Sequence, residues 1–153
     1  MNKRIGKPFN SIFSWIIKKR IHQIDLFKKH PIEVQNELIE SLITRAKDTE
    51  FGKKHHFSSI ENYLDFTKNI PIQDYSSLKP YIDRNIKGEQ NLLWPDEVKW
   101  FAKSSGTTTG KSKFIPVSTE SLEDCHYAAG KDLLCLYLNN NEDSQLFTGK
   151  SLR

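Results

Sequence analysis

Val98-Lys99-Trp100-Phe101-Ala102-Lys103, Ser104-Ser105-Gly106-Thr107-Thr108-Thr109-Gly110-Lys111-Ser112-Lys113 and Phe114-Ile115-Pro116-Val117 follow one another without a break. This run decides the fold. Its outer parts are rich in aromatic and β-branched residues and read as two short strands. The middle part carries five hydroxyl side chains between Ser104 and Thr109, two glycines and two lysines. Hydroxyls and backbone N–H groups donate to anionic oxygens, glycines let the backbone approach, and a lysine supplies countercharge. The composition is that of a phosphate-holding loop at the tip of a β-hairpin.

Two phosphate loops compete for it. Gly110-Lys111-Ser112 matches the end of a P-loop, whose first glycine would fall where Ser105 stands. A P-loop feeds directly into a helix whose N-terminus helps hold the phosphates. Here Phe114-Ile115-Pro116-Val117 follows, and a proline inside that helix would cost about 3 kcal/mol. The flanking residues therefore favour a Ser/Thr/Gly loop between strands, with Lys113 as its retained lysine. A P-loop-like NTPase stays as an alternative.

Outward from the hairpin, the remaining segments are mostly helical. Phe9, Ile12, Phe13, Ile16, Ile17, Ile21, Ile24 and Phe27 recur at helical spacing and predict an amphipathic helix over 9–29, with lysines on its other face. Pro31 opens a second helix, 31–47, with one apolar row of Val34, Leu38 and Leu42 and another of Ile39, Ile43 and Ala46. Thr49-Glu50-Phe51-Gly52-Lys53 reads as a helix exit, and His55 and His56 as solvated loop residues. Ser58 or Ser59 is expected to cap a short helix carrying Ile60, Tyr63, Leu64 and Phe66. Asp74 is expected to cap another, ending at Lys87-Gly88, with Pro80 near its first turns or splitting it. Ser118 should cap a long helix over about 119–138, and Gln145 to Thr148 looks like the start of a strand.

The resulting division is a helical pair (1–47), a helix and loop region (48–97), the hairpin (98–117), a long helix (118–140) and the start of a strand (145–153). The expected class is α+β and helix-rich. With the chain stopping six residues after Phe147, it reads as the incomplete N-terminal part of one large domain.

The formal charge is +4, but residues 1–30 carry eight lysines and arginines against Asp25 alone, hence +7, which leaves −3 for the remainder. A local basic excess without an aromatic-interleaved basic face argues against nucleic acid. It leaves open a basic amphipathic-helix module for a partner or an anionic membrane surface. No apolar run approaches the roughly 20 residues of a membrane span, and no targeting segment is evident. Cys125 and Cys135 would lie about 15 Å apart along a helix, too far for a disulfide. Both read as reduced, which fits a cytoplasmic protein.

The loop, with its flanks, resembles the first nucleotide-binding motif of adenylate-forming enzymes, the firefly-luciferase-like superfamily. Thr49-Glu50-Phe51-Gly52-Lys53, Ile70-Pro71-Ile72-Gln73-Asp74-Tyr75, Leu78-Lys79-Pro80-Tyr81-Ile82, Gly88-Glu89, Trp94-Pro95 and Phe114-Ile115-Pro116-Val117-Ser118 appear in the order seen in the auxin-responsive acyl-acid amido synthetase family. The resemblance covers roughly residues 31–153.

It implies the N-terminal portion of the large α/β domain of such an enzyme. It also implies a ligase that uses ATP, normally with Mg2+, to adenylate a carboxylic acid and then passes the acyl group to an amino acid's amine. By resemblance, Ser104, Ser105, Gly106, Thr107, Thr108 and Gly110 would line the ATP phosphates and Lys113 would be the catalytic lysine. The adenine, ribose and acyl sites of the family lie beyond residue 153. The rest of its own polypeptide is therefore an implied partner, and the chain by itself is expected to be inactive.

Overall fold

The computed structural model describes residues 7–106 and 112–141, with the backbone alone for residues 7–14. The described residues form helices α1 (Lys7–Lys29), α2 (Pro31–Ala46), α3 (Glu50–Lys54), α4 (Tyr63–Asn69) and α5 (Tyr75–Ile86). Strands β1 (Trp100–Lys103) and β2 (Phe114–Val117) follow, then a π-helical segment, Ser121–Tyr127, and α6 (Ala128–Asn140). The fold is helix-rich with one two-stranded sheet. The strand expected from Gln145 lies outside the described residues.

The chain divides into two compact units, residues 1–31 with 124–153 and residues 32–123.

In the first unit α1 packs against α6. Ile17, Ile21 and Ile24 are half-buried, as the apolar spacing predicts, and Cys135 of α6 is buried. Arg20 is one of the eight lysines and arginines of residues 1–30. In the structure it makes a two-pronged ion pair with Asp132, 2.7 Å from Nη2 to Oδ2 with a second, shorter contact from Nε to Oδ1. It also donates to Gln23 at 3.0 Å.

The core of the second unit is Ile43, Ala46 and Phe57, with Ile39, Phe51, Ile60, Phe66, Ile70 and Trp94 packed on it. Of the two apolar rows on α2, the one through Ile39, Ile43 and Ala46 faces this core, while Leu38 and Leu42 are exposed.

Thr49 to Lys53 is not merely a helix exit. Thr49 is wholly buried, and its hydroxyl donates to the Ala46 carbonyl (2.7 Å) and accepts from Gly52 N–H (2.9 Å). The N–H groups of Glu50 and Phe51 donate to the Asn91 and Leu92 carbonyls, both at 3.0 Å. The first N–H groups of α3 are thus all paired, which lets a helix of five residues stand. His55, expected in solvent, is half-buried and stacks on Phe51 with ring centroids 4.2 Å apart. His56 remains exposed, with a left-handed φ of 51°.

The cap expected at Ser58 or Ser59 sits instead at Asn62, whose side-chain oxygen accepts from Leu64 and Asp65 N–H. Phe57–Ser59 forms a separate 3-10 turn because Phe57 is drawn into the core. Asp74 caps α5 as expected, in a reciprocal box with Ser77. Pro80 does not split α5. It falls near the first turns, as expected, in the second of them, where it removes the bond its nitrogen would donate to Ser76 and crowds that carbonyl. Tyr81, Ile82 and Asn85 of the same helix are buried, so packing outweighs that loss.

Candidate functional site

β1 and β2 pair antiparallel, with Trp100 opposite Val117, Phe101 opposite Pro116, Ala102 opposite Ile115 and Lys103 opposite Phe114. Residues 104–113 therefore connect adjacent ends of one ribbon. Two bonds close the neck: Ser104 N–H donates to the Lys113 carbonyl and Lys113 N–H to the Ser104 hydroxyl, each at 2.9 Å. Gly106 has a φ of 76°, a left-handed conformation that turns the backbone at low cost for glycine. Ser105 and Ser112 are exposed, and Lys113 is half-buried.

Of the expected site residues, the structure brings Ser104, Gly106 and Lys113 to the neck of one loop, with Ser105 between them. Thr107, Thr108 and Gly110 lie outside the described residues, as does Lys111. The chain leaves the loop as strand β2, whereas the P-loop alternative requires a helix beginning at Lys111. The strand removes that alternative.

Tyr75, quoted from sequence only as part of a signature, lies against this neck. Its hydroxyl accepts from Phe114 N–H at 3.1 Å, and the Lys113 ammonium stands over its ring, 5.3 Å from the centroid. The capping pattern from Asp74 to Ser77 places Tyr75 at the first position of α5. Nothing in sequence tells which strand its side chain meets.

A polar knot holds the far end of β2. After Ser118, the Glu120 carboxylate accepts from Trp94 Nε1 at 3.2 Å and from Arg45, which lies over the Trp94 ring at 5.4 Å and also pairs with Asp96 at 2.5 Å. Partial burial pushes the Glu120 pKa up. Bonds from its own backbone N–H, and with Asp96, Trp94 and Ser118, outweigh that and hold it down to about 2. Both ends of β2 are thus tied to helical neighbours, Tyr75 of α5 at its start and Arg45 of α2 just past its end.

A shallow recess of about 440 Å3 is lined by Glu37, Glu40, Ser41, Thr44 and Arg45, all on α2. None of the described loop residues lines it, and its two carboxylates do not suit a phosphate.

The sequence pattern of the GH3 family N-terminal domain matches residues 20–153, and the chain belongs to that family. It is similar to a 4-substituted benzoates-glutamate ligase, GH3.12, of Arabidopsis thaliana, 33% identical over 92 residues that make up 60% of this chain and 16% of that protein. It is also similar to the jasmonoyl-L-amino acid synthetase JAR4 of Nicotiana attenuata, 29% identical over 67% of this chain and 18% of that protein. Among solved structures it resembles the GH3.15 acyl acid amido synthetase. The TM-score is 0.66 and the identity 26%, covering 85% of this chain and 23% of that one. The chain spans less than a fifth of the length of these curated relatives. No helix among the described residues is long and apolar enough to cross a membrane.

Proposed function

We propose that this chain forms the N-terminal part of an ATP-dependent ligase that adenylates a carboxylic acid and transfers the acyl group to an amino acid's amine. The observation that carries this reading is the loop neck. Ser104 and Lys113 are joined across the ends of a β-ribbon by one backbone bond and one to the Ser104 hydroxyl, so the lysine's backbone is held beside the hydroxyl-rich loop. The names of the relatives, amido synthetases and a ligase, support the same chemistry.

In the adenylation step the acid's carboxylate oxygen attacks the α-phosphorus of ATP, and the bond to the β-phosphate oxygen breaks, releasing pyrophosphate. The amine then attacks the acyl carbon and AMP leaves. Charge grows on the departing pyrophosphate, so donors already aimed at the β- and γ-phosphates lower the barrier. Ser104, Ser105, Gly106, Thr107, Thr108 and Gly110 are assigned to that cradle, through hydroxyls, N–H groups and a close backbone, and Lys113 to the countercharge. Among the described residues no group of three or more His, Cys, Asp or Glu side chains could hold a metal ion. Mg2+ is assigned to arrive with the nucleotide, whose phosphates would supply part of its coordination. The rest of the polypeptide would complete the site, and this chain alone would not catalyse. Free thiols at Cys125 and Cys135 accord with a cytoplasmic location. No role with nucleic acid or a membrane is assigned.

The test is pyrophosphate–ATP exchange by the complete polypeptide across a panel of carboxylic acids. Exchange with at least one acid is expected, and Lys113→Ala should lower it about 100-fold or more, the scale of losing one transition-state donor. Absence of exchange with every acid refutes the ligase reading. Micromolar, loop-dependent ATP binding by residues 1–153 alone would refute the dependence on the remaining polypeptide.

A further inference from the structure

We infer that Tyr75 is a positioning residue for Lys113, holding the ammonium at the loop neck where a nucleotide's phosphates would meet it. The inference rests on the ligase reading for its functional consequence, and on geometry alone for the contact itself. A two-stranded ribbon leaves outward-pointing N–H groups along its free edges. The first of these on β2, Phe114 N–H, is taken by the Tyr75 hydroxyl at 3.1 Å. That bond fixes where β2 begins, and so where the preceding residue, Lys113, leaves the loop. The same side chain then presents its ring face to the Lys113 ammonium at 5.3 Å, the geometry of a cation–π contact.

The tyrosine is itself held firmly. Ser77 N–H donates to Asp74 Oδ1 at 2.8 Å and Asp74 N–H to the Ser77 hydroxyl at 3.0 Å, so the turn carrying Tyr75 is closed from both sides. Further along α5, Tyr81, Ile82 and Asn85 are buried, which anchors the helix.

A four-carbon side chain free in water samples many rotamers, and confining it before the phosphate arrives lowers the ordering cost of binding. The ring makes this contact without neutralising the charge, as a carboxylate partner would. The ammonium therefore keeps its full attraction for an anion. Tyr75 touches neither phosphate nor acid in this scheme. It acts through Lys113.

The experiment compares Tyr75→Phe and Tyr75→Leu in the complete polypeptide. Tyr75→Leu is expected to raise KM for ATP about two- to fivefold, with KM for the acid and the amine unchanged. Tyr75→Phe, which keeps the ring but loses the bond from Phe114 N–H, recovers the part of that loss owed to the ring. An unchanged KM for ATP in Tyr75→Leu overturns the proposal, as does an equal rise for all three substrates accompanied by a lower melting temperature, the mark of a merely structural role.

A second arm needs no catalysis. In the NMR spectrum of the wild-type protein the Lys113 ε-methylene protons should be shifted upfield by the ring current. The shift should persist in Tyr75→Phe and vanish in Tyr75→Leu. Its absence in the wild type overturns the proposal. Absence of pyrophosphate exchange by the wild type refutes the ligase reading instead, so the two failures are distinguishable.

Discussion

Gly52 poses a question of sign. It lies in the middle of α3, and replacing an interior helical glycine by alanine ordinarily stabilises by about 1 kcal/mol, through helix propensity and the stiffer unfolded chain. The structure predicts the opposite here. A Cβ on Gly52 would stand 2.1 Å from the Ala46 carbonyl oxygen and 3.0 Å from both its carbon and the Lys47 oxygen. Even a favourable C–H···O contact keeps about 3.3 Å between carbon and oxygen, so roughly 1.2 Å of movement is required. The carbonyl cannot supply it cheaply, because it accepts from Thr49 N–H at 3.1 Å and from the Thr49 hydroxyl at 2.7 Å. Giving up those two bonds costs about 1 kcal/mol each, and residual overpacking adds about 1–3 kcal/mol. After the propensity gain, Gly52→Ala should destabilise by about 2–4 kcal/mol. With a urea m-value of about 2 kcal/mol/M, the midpoint should fall by about 1–2 M at unchanged m. Gly130→Ala is the internal control. That position lies in α6 with nothing within 4 Å of the added carbon, so the same substitution should stabilise by about 0.5–1 kcal/mol. A Gly52→Ala midpoint equal to or above wild type refutes the steric reasoning.

Three further predictions come from the same packing. Thr49→Val keeps the shape but leaves Gly52 N–H without its acceptor in a buried place, and should cost about 2–3 kcal/mol by urea denaturation, whereas Thr49→Ser should cost about 1 kcal/mol; equal effects would show that the hydroxyl is not what matters. Acid should destabilise the protein progressively as pH falls from about 4.5 toward 2, because Asp132, lowered chiefly by its bond from Arg20, and Glu120, held at about 2, remain ionised in the folded state after their unfolded counterparts have taken up protons. Both are partly exposed and contribute about 1 kcal/mol or less each; Asp132→Asn should flatten the pH profile of the thermal midpoint in that window, and an unchanged profile would dispose of the argument. A thiol reagent at neutral pH should modify exposed Cys125 promptly, while Cys135, buried and with its thiol pKa raised by that burial, should react only after denaturation; two fast thiols would contradict the packing of α6.

What could be read from sequence follows how local the cause is. Helices α1, α2 and α5 were legible because periodicity, Pro31 and the Asp74 cap act within a few residues. The two strands were legible because aromatic and β-branched residues flank the loop directly. The boundaries around α3 and α4 were not. Whether Thr49 ends one helix or opens another depends on the Asn91 and Leu92 carbonyls, some forty residues away, which accept from the first N–H groups of α3. The placement of His55 likewise depends on the aromatic cluster of Phe51, Phe57 and Tyr81, assembled from two separate stretches of chain. In sequence Arg20 is not distinguished from the other lysines and arginines of residues 1–30, because its partner Asp132 is 112 positions distant.

The same distinction bears on the candidate site. Its composition, and the preference for Lys113 over Lys111, could be argued from the strand that follows the loop, since a proline and β-branched residues exclude a P-loop helix locally. What holds Lys113 in place could not, because the aromatic ring beneath its ammonium comes from α5, 38 residues earlier. The neck bonds hold the backbone of Ser104 and Lys113, and the strand that leaves them is held by what packs against it, Tyr75 at the start of β2 and the Arg45, Trp94 and Glu120 knot just beyond its end. Substitutions at those supports should therefore alter how precisely the lysine is placed while leaving the composition of the loop intact.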